Sequence, residues 1–332
     1  MPMPDGQPVP TLIVAGPTCS GKSALALQLA QRLNGTVINA DSMQVYKELR
    51  IVTARPTPRE EAATPHALYG IRPAAQPGSV AWWRDEALAA IDAARAAQRT
   101  PILCGGTGLY LAALTQGLAP IPEPTPEARH EARTLLEDLG PEPLHARLAA
   151  LDPATAATLR PSDGQRIARA YEIVRSTGIP LSIWQALPPD RPVPNVRLIL
   201  LDPPRPALRA AIAARFAAML DAGAIEEVRA LLAQNLDPTL PAMRAHGVPE
   251  LAAYLQADIT LPEAQRRATL ATGQYTKRQA TWFRHRAPVP AANTHMIHAR
   301  FAGPQQFSER EWTDIESFVI QCTATRAKDE SP

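Results

Sequence analysis

The stretch Thr11-Leu12-Ile13-Val14-Ala15-Gly16-Pro17-Thr18-Cys19-Ser20-Gly21-Lys22-Ser23 decides the fold. An apolar, strand-like run delivers the chain into G-x-x-x-x-G-K-S, the pattern of a phosphate-binding loop. In such a loop the backbone N–H groups wrap a di- or triphosphate, the lysine neutralises its outer oxygens and the hydroxyl after it ligates Mg²⁺. All eight residues, Gly16, Pro17, Thr18, Cys19, Ser20, Gly21, Lys22 and Ser23, are therefore candidate binding residues, with Ser23 the metal ligand.

Working outward, residues 23–33 are rich in alanine and leucine at helical spacing and end on Asn34-Gly35, a helix stop. A second apolar run, 36–40, completes the strand, loop, helix and strand that such a loop needs. Residues 82–97 read as a further helix leading into a third run at 101–104, and a fourth lies at Val196–Leu201. Strands apolar along their whole length belong to a parallel sheet covered on both faces. Between the third and fourth runs the pattern changes. Pro120, Pro122, Pro124 and Pro126 precede an Ala/Leu/Arg-rich helical stretch, residues 127–178, and Pro188, Pro189, Pro192 and Pro194 follow it. Such proline clusters are semi-rigid stems, so they bracket a helical insertion. After Pro206 the chain reads as almost wholly helical. The expected fold is α/β: a P-loop NTPase-like parallel sheet flanked by helices, with a helical insertion subdomain and a helical C-terminal region. Its expected division is core at 1–119, insertion at 120–195, and the last strand with C-terminal helices at 196–332.

With 332 residues, 45% hydrophobic and 20% charged, the chain has the makeup of a soluble globular enzyme and length enough for two structural units. The opening residues 1–8 have neither a basic nor an apolar signal region, so a cytoplasmic location is expected. The uncharged stretch 100–122 is punctuated by Gly105, Gly106, Gly108, Gly117 and Pro120, which excludes a membrane span there. Cys19, Cys104 and Cys322 are far apart and form no C-x-x-C pair, so neither a disulfide framework nor a zinc module is indicated.

Net charge is only +2, but its distribution is uneven. No Asp or Glu occurs in residues 264–308, whereas Arg266, Arg267, Lys277, Arg278, Arg284, Arg286 and Arg300 all do, interleaved with Tyr275, Trp282 and Phe283. This basic, aromatic-bearing stripe reads either as a nucleic-acid surface or as a solvated helical face.

Two further strings lie where strand C-termini meet a ligand crevice. Asp41-Ser42-Met43-Gln44-Val45-Tyr46 follows the second strand, and Asp41 is either a catalytic carboxylate aimed at the P-loop or a helix cap. Gly105-Gly106-Thr107-Gly108-Leu109-Tyr110 follows the third. Its glycines permit close backbone approach to a ligand and Thr107 offers a hydroxyl, although a plain strand-to-helix turn explains the string as well.

Taken together these strings resemble the tRNA dimethylallyltransferase (IPP transferase) family, bacterial type. The resemblance also rests on Thr53-Ala54-Arg55-Pro56, Pro65-His66, Asp163-Gly164-Gln165-Arg166-Ile167-Ala168-Arg169-Ala170, Met219-Leu220 with Gly223 and Glu226-Glu227-Val228, and Lys277-Arg278-Gln279-Ala280-Thr281-Trp282-Phe283. The chain departs from the family pattern at Val52, Tyr171 and Gly247-Val248-Pro249. The family's reaction is prenylation of N6 of an adenine beside the anticodon. The resemblance thus implies dimethylallyl diphosphate as donor, tRNA as acceptor, Mg²⁺ as cofactor and a monomeric enzyme with no membrane association.

An adenine N6 amine is a poor nucleophile, so the reaction needs a base and a good leaving group. By the resemblance Asp41 is that base, Thr107 holds the adenine and Asp41, and Arg215 closes on the diphosphate. The P-loop, Lys22 and Mg²⁺ would stabilise the charge on the departing diphosphate. The adenine must also be flipped from the anticodon stack at a cost of a few kcal/mol. The resemblance implies RNA contacts at Ser42, Met43, Gln44, Arg244, Lys277 and Arg278, and on the insertion at Arg129, Gln165, Arg166, Ile167, Ala168 and Arg169. A P-loop kinase acting on a small metabolite, or a catalytically silent RNA-binding module, are the rival readings. The basic stripe and the 165–169 string disfavour the first, and Asp41 the second.

Overall fold

A computed structural model describes residues 10–190 and 192–320; the opening segment 1–8 and Cys322 lie outside them. Its centre is β1 (Thr11–Ala15), followed by α1 (Lys22–Arg32) and β2 (Gly35–Asn39). Then come α2 (Pro58–Ala63), β3 (His66–Ala67), α3 (Val80–Ala96), β4 (Thr100–Gly105) and α4 (Gly108–Gln116). After the insertion the core resumes with β5 (Val196–Leu201), a run of helices and β6 (Thr294–Ile297). The strands form one six-stranded parallel sheet in the order β3-β2-β4-β1-β5-β6. This is the P-loop NTPase-like α/β architecture.

Strand alternation divides the sheet's side chains between two cores. Ile13 and Ala15 face one cluster with Leu103, Leu198 and Leu200, closed by Trp83 and Leu111 from α3 and α4. Leu12 and Val14 face the other with Ile102, Ile199 and Leu201, closed by Leu25 and Leu29 of α1. Both faces are dry, which is why the four long strands read as unbroken apolar runs.

Two strands escaped that reading. β3 has only two residues, and β6 pairs with β5 as Thr-His-Met-Ile, with Met296 exposed at the sheet edge. Edge strands bury only part of their surface and so carry a weak apolar signature. The C-terminal region is therefore not wholly helical.

The chain divides into two compact units, Gln116–Pro192 and the remainder, Met1–Thr115 with Val193–Pro332. The first contains α5 (Pro126–Leu139), α6 (Pro141–Leu151), α7 (Pro153–Thr158), α8 (Gly164–Thr177) and α9 (Leu181–Ala186). Its own core joins Ala132, Leu144, Leu148, Ile167, Ala170 and Ile173. Pro at the first turn of α5, α6 and α7 has a preset φ and no N–H to waste. Buried Asp152 staples this unit, accepting from Thr155 N and Oγ1 and from Ser182 N and Oγ at 2.6–3.2 Å.

The helices after β5 are α10 (Arg205–Asp221), α11 (Ala224–Leu232), α12 (Val248–Leu255), α13 (Leu261–His285) and α14 (Glu309–Ile320). Phe216, Val228, Leu251 and Phe283 pack on the first sheet face, whereas Trp312, Ile315 and Val319 of α14 pack beside α1 on the second. Glu227 at the start of α11 accepts three backbone N–H bonds, from Arg50, Ile51 and Val52 at 2.7–2.9 Å. That carboxylate fixes the loop that follows Asp41. Among the described residues no helix is long and apolar enough to cross a membrane.

Candidate active site

The P-loop leaves β1 and re-enters helix at Gly21, whose φ of 91° is the left-handed conformation that glycine adopts freely. A Cβ there would also collide with the carbonyl of Phe301. The segment after β6 thus presses on the loop: Phe301 N donates to Ser20 O at 2.9 Å and Arg300 Nε to Cys19 O at 3.0 Å. The helix α1 begins with no side-chain cap and no acidic residue in its first turn. Its first N–H groups and positive dipole end are left for an anion.

A cavity of about 1040 Å³ opens at this point. Thr18, Cys19, Gly21, Lys22 and Ser23 form one side of it, and Asp41, Ser42, Met43 and Gln44 another. Arg215 of α10, Arg244, and Tyr275 and Arg278 of α13 complete the wall, with His246 and Arg300. All these residues belong to the sheet-bearing unit.

Asn39, two residues before Asp41, sets its position. Asn39 Oδ1 accepts from Asp41 N at 2.9 Å, while Asn39 Nδ2 donates to Asp41 O and Leu68 O. Asp41 Oδ1 then accepts from Met43 N at 2.9 Å, an Asx turn rather than a cap on a helix, since residues 41–45 are not helical. Thr107 Oγ1 accepts from Ser42 N at 3.0 Å and so ties the two loops together from behind the cavity wall. Gln44 Nε2 is spent on the carbonyls of Thr53 and Ala54, both at 2.9 Å.

Burial acts on the titratable groups here. It raises the Tyr275 phenol, with the Asp41 charge adding to the effect, so the hydroxyl keeps its proton. It lowers His246, which Arg278 and Arg215 depress further while Glu250 and Asp41 oppose. That ring, 4.9 Å from the Tyr275 ring, is neutral near neutral pH. Cys104, beneath Ser23, is pushed up to about 11 by burial and stays a thiol. Cys19 and Cys104 are both free, as expected.

The structure bears on two readings that the sequence left open. The glycines of 105–108 exist for protein packing: a Cβ at Gly105 would strike Ala40, at Gly106 Gln279 and at Gly108 the Trp282 ring. Likewise the basic stripe is not one solvated face. Phe283 is buried, Trp282 packs on Gly108, and Arg266 and Arg267 both bond Glu263, which lies just before the acid-free window, at 2.7 Å. Of the stripe's cations only Arg278 and Arg300 reach the cavity, beside Tyr275; Lys277 is exposed but outside its lining.

On the insertion, Arg129, Gln165, Arg166 and Arg169 are exposed and Ala168 half-buried. Ile167 is fully buried in the insertion's core, so its side chain packs and is not available to RNA. Arg166 pairs with Asp163 at 3.5 Å, Arg169 with Glu172 at 3.6 Å and Arg129 with Glu123. The exposed pairs of Arg166 and Arg129 are worth under about 1 kcal/mol, so a phosphate can replace them cheaply, whereas Glu172 is half-buried.

Sequence reasoning gave no site role to Gln279 or His246, and placed Arg300 only in the basic stripe. A signal for Gln279 was present: Thr272, Thr276, Gln279 and Phe283 recur at helical spacing and are all buried, a partly polar face that water cannot satisfy. Ser20 Oγ is buried without a partner beneath the loop, and no bond accounts for it.

Among the described residues no cluster of three His, Cys, Asp or Glu is placed to cage a metal. The donor set still fits Mg²⁺, which is held by one or two protein oxygens plus substrate phosphates and water. Ser23 Oγ, on the cavity wall beside Lys22, is such an oxygen.

Comparison with known proteins agrees with this geometry. A family model described as IPP transferase matches residues 44–286. A protein named tRNA dimethylallyltransferase from Granulibacter bethesdensis is 62% identical over 93% of this chain and 97% of its own length. One of the same name from Gluconacetobacter diazotrophicus is 58% identical over 95% and 96%. Among solved structures, the tRNA isopentenylpyrophosphate transferase of Bacillus halodurans is similar with a TM-score of 0.65 at 31% identity, covering 94% of this chain and 97% of that one. A eukaryotic dimethylallyltransferase acting on tRNA has a TM-score of 0.75 at 26% identity, covering 93% and 79%. With the matched residues spanning the Asp41-side loop, the insertion and α13, this chain belongs to the IPP transferase family.

Proposed function

We propose that this chain is a cytoplasmic, monomeric tRNA dimethylallyltransferase. It moves the dimethylallyl group of dimethylallyl diphosphate to N6 of an adenine beside the anticodon, giving N6-(dimethylallyl)adenosine. The observation that carries this reading is one cavity with two chemically opposite ends. An uncapped helix N-terminus with Lys22, Arg215 and Arg300 suits a diphosphate, and the Asp41 carboxylate lining the same cavity suits a proton acceptor.

Bond formation between N6 and the donor's C1 releases diphosphate with the pair of the broken C–O bond, and Asp41 takes the N6 proton. Lys22 and the α1 amide groups meet charge that grows on the leaving oxygens. Ser23 Oγ would hold Mg²⁺, and the ion would supply further neutralisation of that charge. Thr107, fastened to Ser42 N, holds the Asp41 loop beside the adenine pocket. Met43, Arg244 and Arg278 offer the flipped nucleotide and its neighbours one apolar and two cationic contacts.

The test is incubation of the full chain with Mg²⁺, dimethylallyl diphosphate labelled in its prenyl group, and bulk tRNA. Label is expected in RNA, recovered as N6-(dimethylallyl)adenosine after digestion. Label found only in donor or in free prenol would overturn the proposal.

The insertion's arginines lead to a separate expectation. Arg166→Ala with Arg169→Ala weakens tRNA binding and lowers the slope of log K against log salt by up to about 0.7–0.9 for each phosphate no longer neutralised. Donor binding is expected to be unchanged. A salt titration of the double variant that retains the wild-type slope shows that these arginines do not meet phosphates.

A further inference from the structure

The strongest unassigned feature is the buried amide of Gln279. Its Oε1 accepts from Thr18 N at 2.8 Å and from Thr18 Oγ1 at 3.0 Å, both on the P-loop. Its Nε2 donates to Gly106 O at 2.9 Å, on the loop after β4. The side chain is 4% exposed, so water does not compete for these bonds. One amide thus joins two loops that have no other hydrogen bond to each other among the described residues.

We propose that Gln279 is a positioning residue that fixes the distance between the donor's diphosphate and the acceptor adenine. The inference rests on the prenyl-transfer reading, in which the P-loop holds one substrate and the Asp41 loop, tied to Thr107 beside Gly106, meets the other. Each loop is anchored to its own strand, β1 or β4, and a sheet pairs strands without fixing the loops that leave them. Gln279 closes that gap from α13. Thr107 is the next residue to Gly106, and its Oγ1 in turn holds Ser42 N beside Asp41. The connection therefore runs from Thr18 through Gln279, Gly106 and Thr107 to the Asp41 loop.

Rate depends on this distance more steeply than binding does. A misplacement of about 1 Å can cost about 10²-fold in a bimolecular transfer held at near-attack geometry, while each substrate alone still fits its own loop. Losing Gln279's bonds should therefore lower kcat with little change in the affinity for either substrate. A residue that merely packs would lower stability and both affinities together.

Two variants separate these cases. Gln279→Leu removes these three bonds together with the amide's hydrogen bond to the Tyr275 hydroxyl. Gln279→Glu keeps the acceptor for Thr18 but, when ionised, has no donor for Gly106 O; when protonated, its O–H restores that donor. Single-turnover prenylation is measured for both variants and wild type from pH 6 to pH 9. Inorganic pyrophosphate and an anticodon stem-loop are titrated separately, and thermal unfolding is recorded.

For Gln279→Leu, transfer is expected to fall about 10²-fold, with pyrophosphate and stem-loop affinities within about threefold of wild type. For Gln279→Glu, the rate relative to wild type is expected to rise as pH falls, because only the acid form bridges the loops. A wild-type rate in Gln279→Leu, a Gln279→Glu ratio that does not vary with pH, or a parallel fall of rate, both affinities and stability would each overturn the proposal. Failure of both variants to fold would do so too, by making the residue structural. If wild-type protein itself transfers no prenyl group, the reading of the reaction fails, and that result is distinct from all of these.

Discussion

Asp41→Asn is expected to lower prenyl transfer by about 10²- to 10⁴-fold, the span of a lost general base. The amide preserves the local geometry, because its Oδ1 still accepts from Met43 N and its backbone still meets Asn39. What disappears is a carboxylate able to take the N6 proton. Asn39 and Thr107 hold the loop on either side, so the substitution has no reason to move it. Affinity for tRNA should change little, since among the described residues Asp41 forms no ion pair that the substitution would break. Single-turnover kinetics with saturating donor and tRNA read the effect directly, and an unchanged rate would remove Asp41 from the chemistry.

The route from sequence to this site was legible where chemistry and local structure coincide. A P-loop is local: its glycines, lysine and serine are adjacent, and the flanking strand and helix carry their own periodicities. Asp41 was legible for a related reason, because strand C-termini in a parallel sheet share one edge. The paired bonds of Asn39 to both Asp41 and Leu68 were not, since residue 68 meets residue 39 only after folding. Gln279 lies 261 positions from Thr18 and 173 from Gly106, and nothing near it in the chain says which loops it will join. Arg300 belongs to a segment whose strand is too short and too exposed to show as one. The basic stripe was legible only in part, for a physical reason. Counting charges along a window ignores that a helix turns its residues in all directions, so Thr276 and Phe283 face the core while Lys277 and Arg284 face water. The glycines at 105, 106 and 108 were ambiguous for a similar reason, because crowding by Ala40, Gln279 and Trp282 and approach to a ligand demand the same missing side chain.

Lys22→Ala is expected to reduce both donor affinity and the rate of the bound complex, the latter by about 10²- to 10³-fold, as for the loss of one group that stabilises a transition-state oxyanion. The two effects have separate origins. Lys22 and the uncapped end of α1 attract the diphosphate in the ground state, and they attract it more strongly as the C–O bond breaks and negative charge builds. A group that bound both states equally would change KM alone. The same reasoning fixes what occupies the loop. Nucleotide binding is the usual inference from a G-x-x-x-x-G-K-S string, yet a single cradle at the head of α1 cannot hold the donor's diphosphate and a nucleotide's phosphates at once. The lining around it offers cations from Arg215, Arg278 and Arg300 and, in Asp41, a carboxylate that would repel a second polyanion. Prenylation by the purified full chain with Mg²⁺ and dimethylallyl diphosphate should therefore proceed at its full rate with no nucleoside triphosphate present. Added ATP should act, at high concentration, only as an inhibitor competing with the donor. Strict dependence on ATP would place a nucleotide in the loop, detach Lys22 from the leaving group and restore the kinase reading of the same sequence.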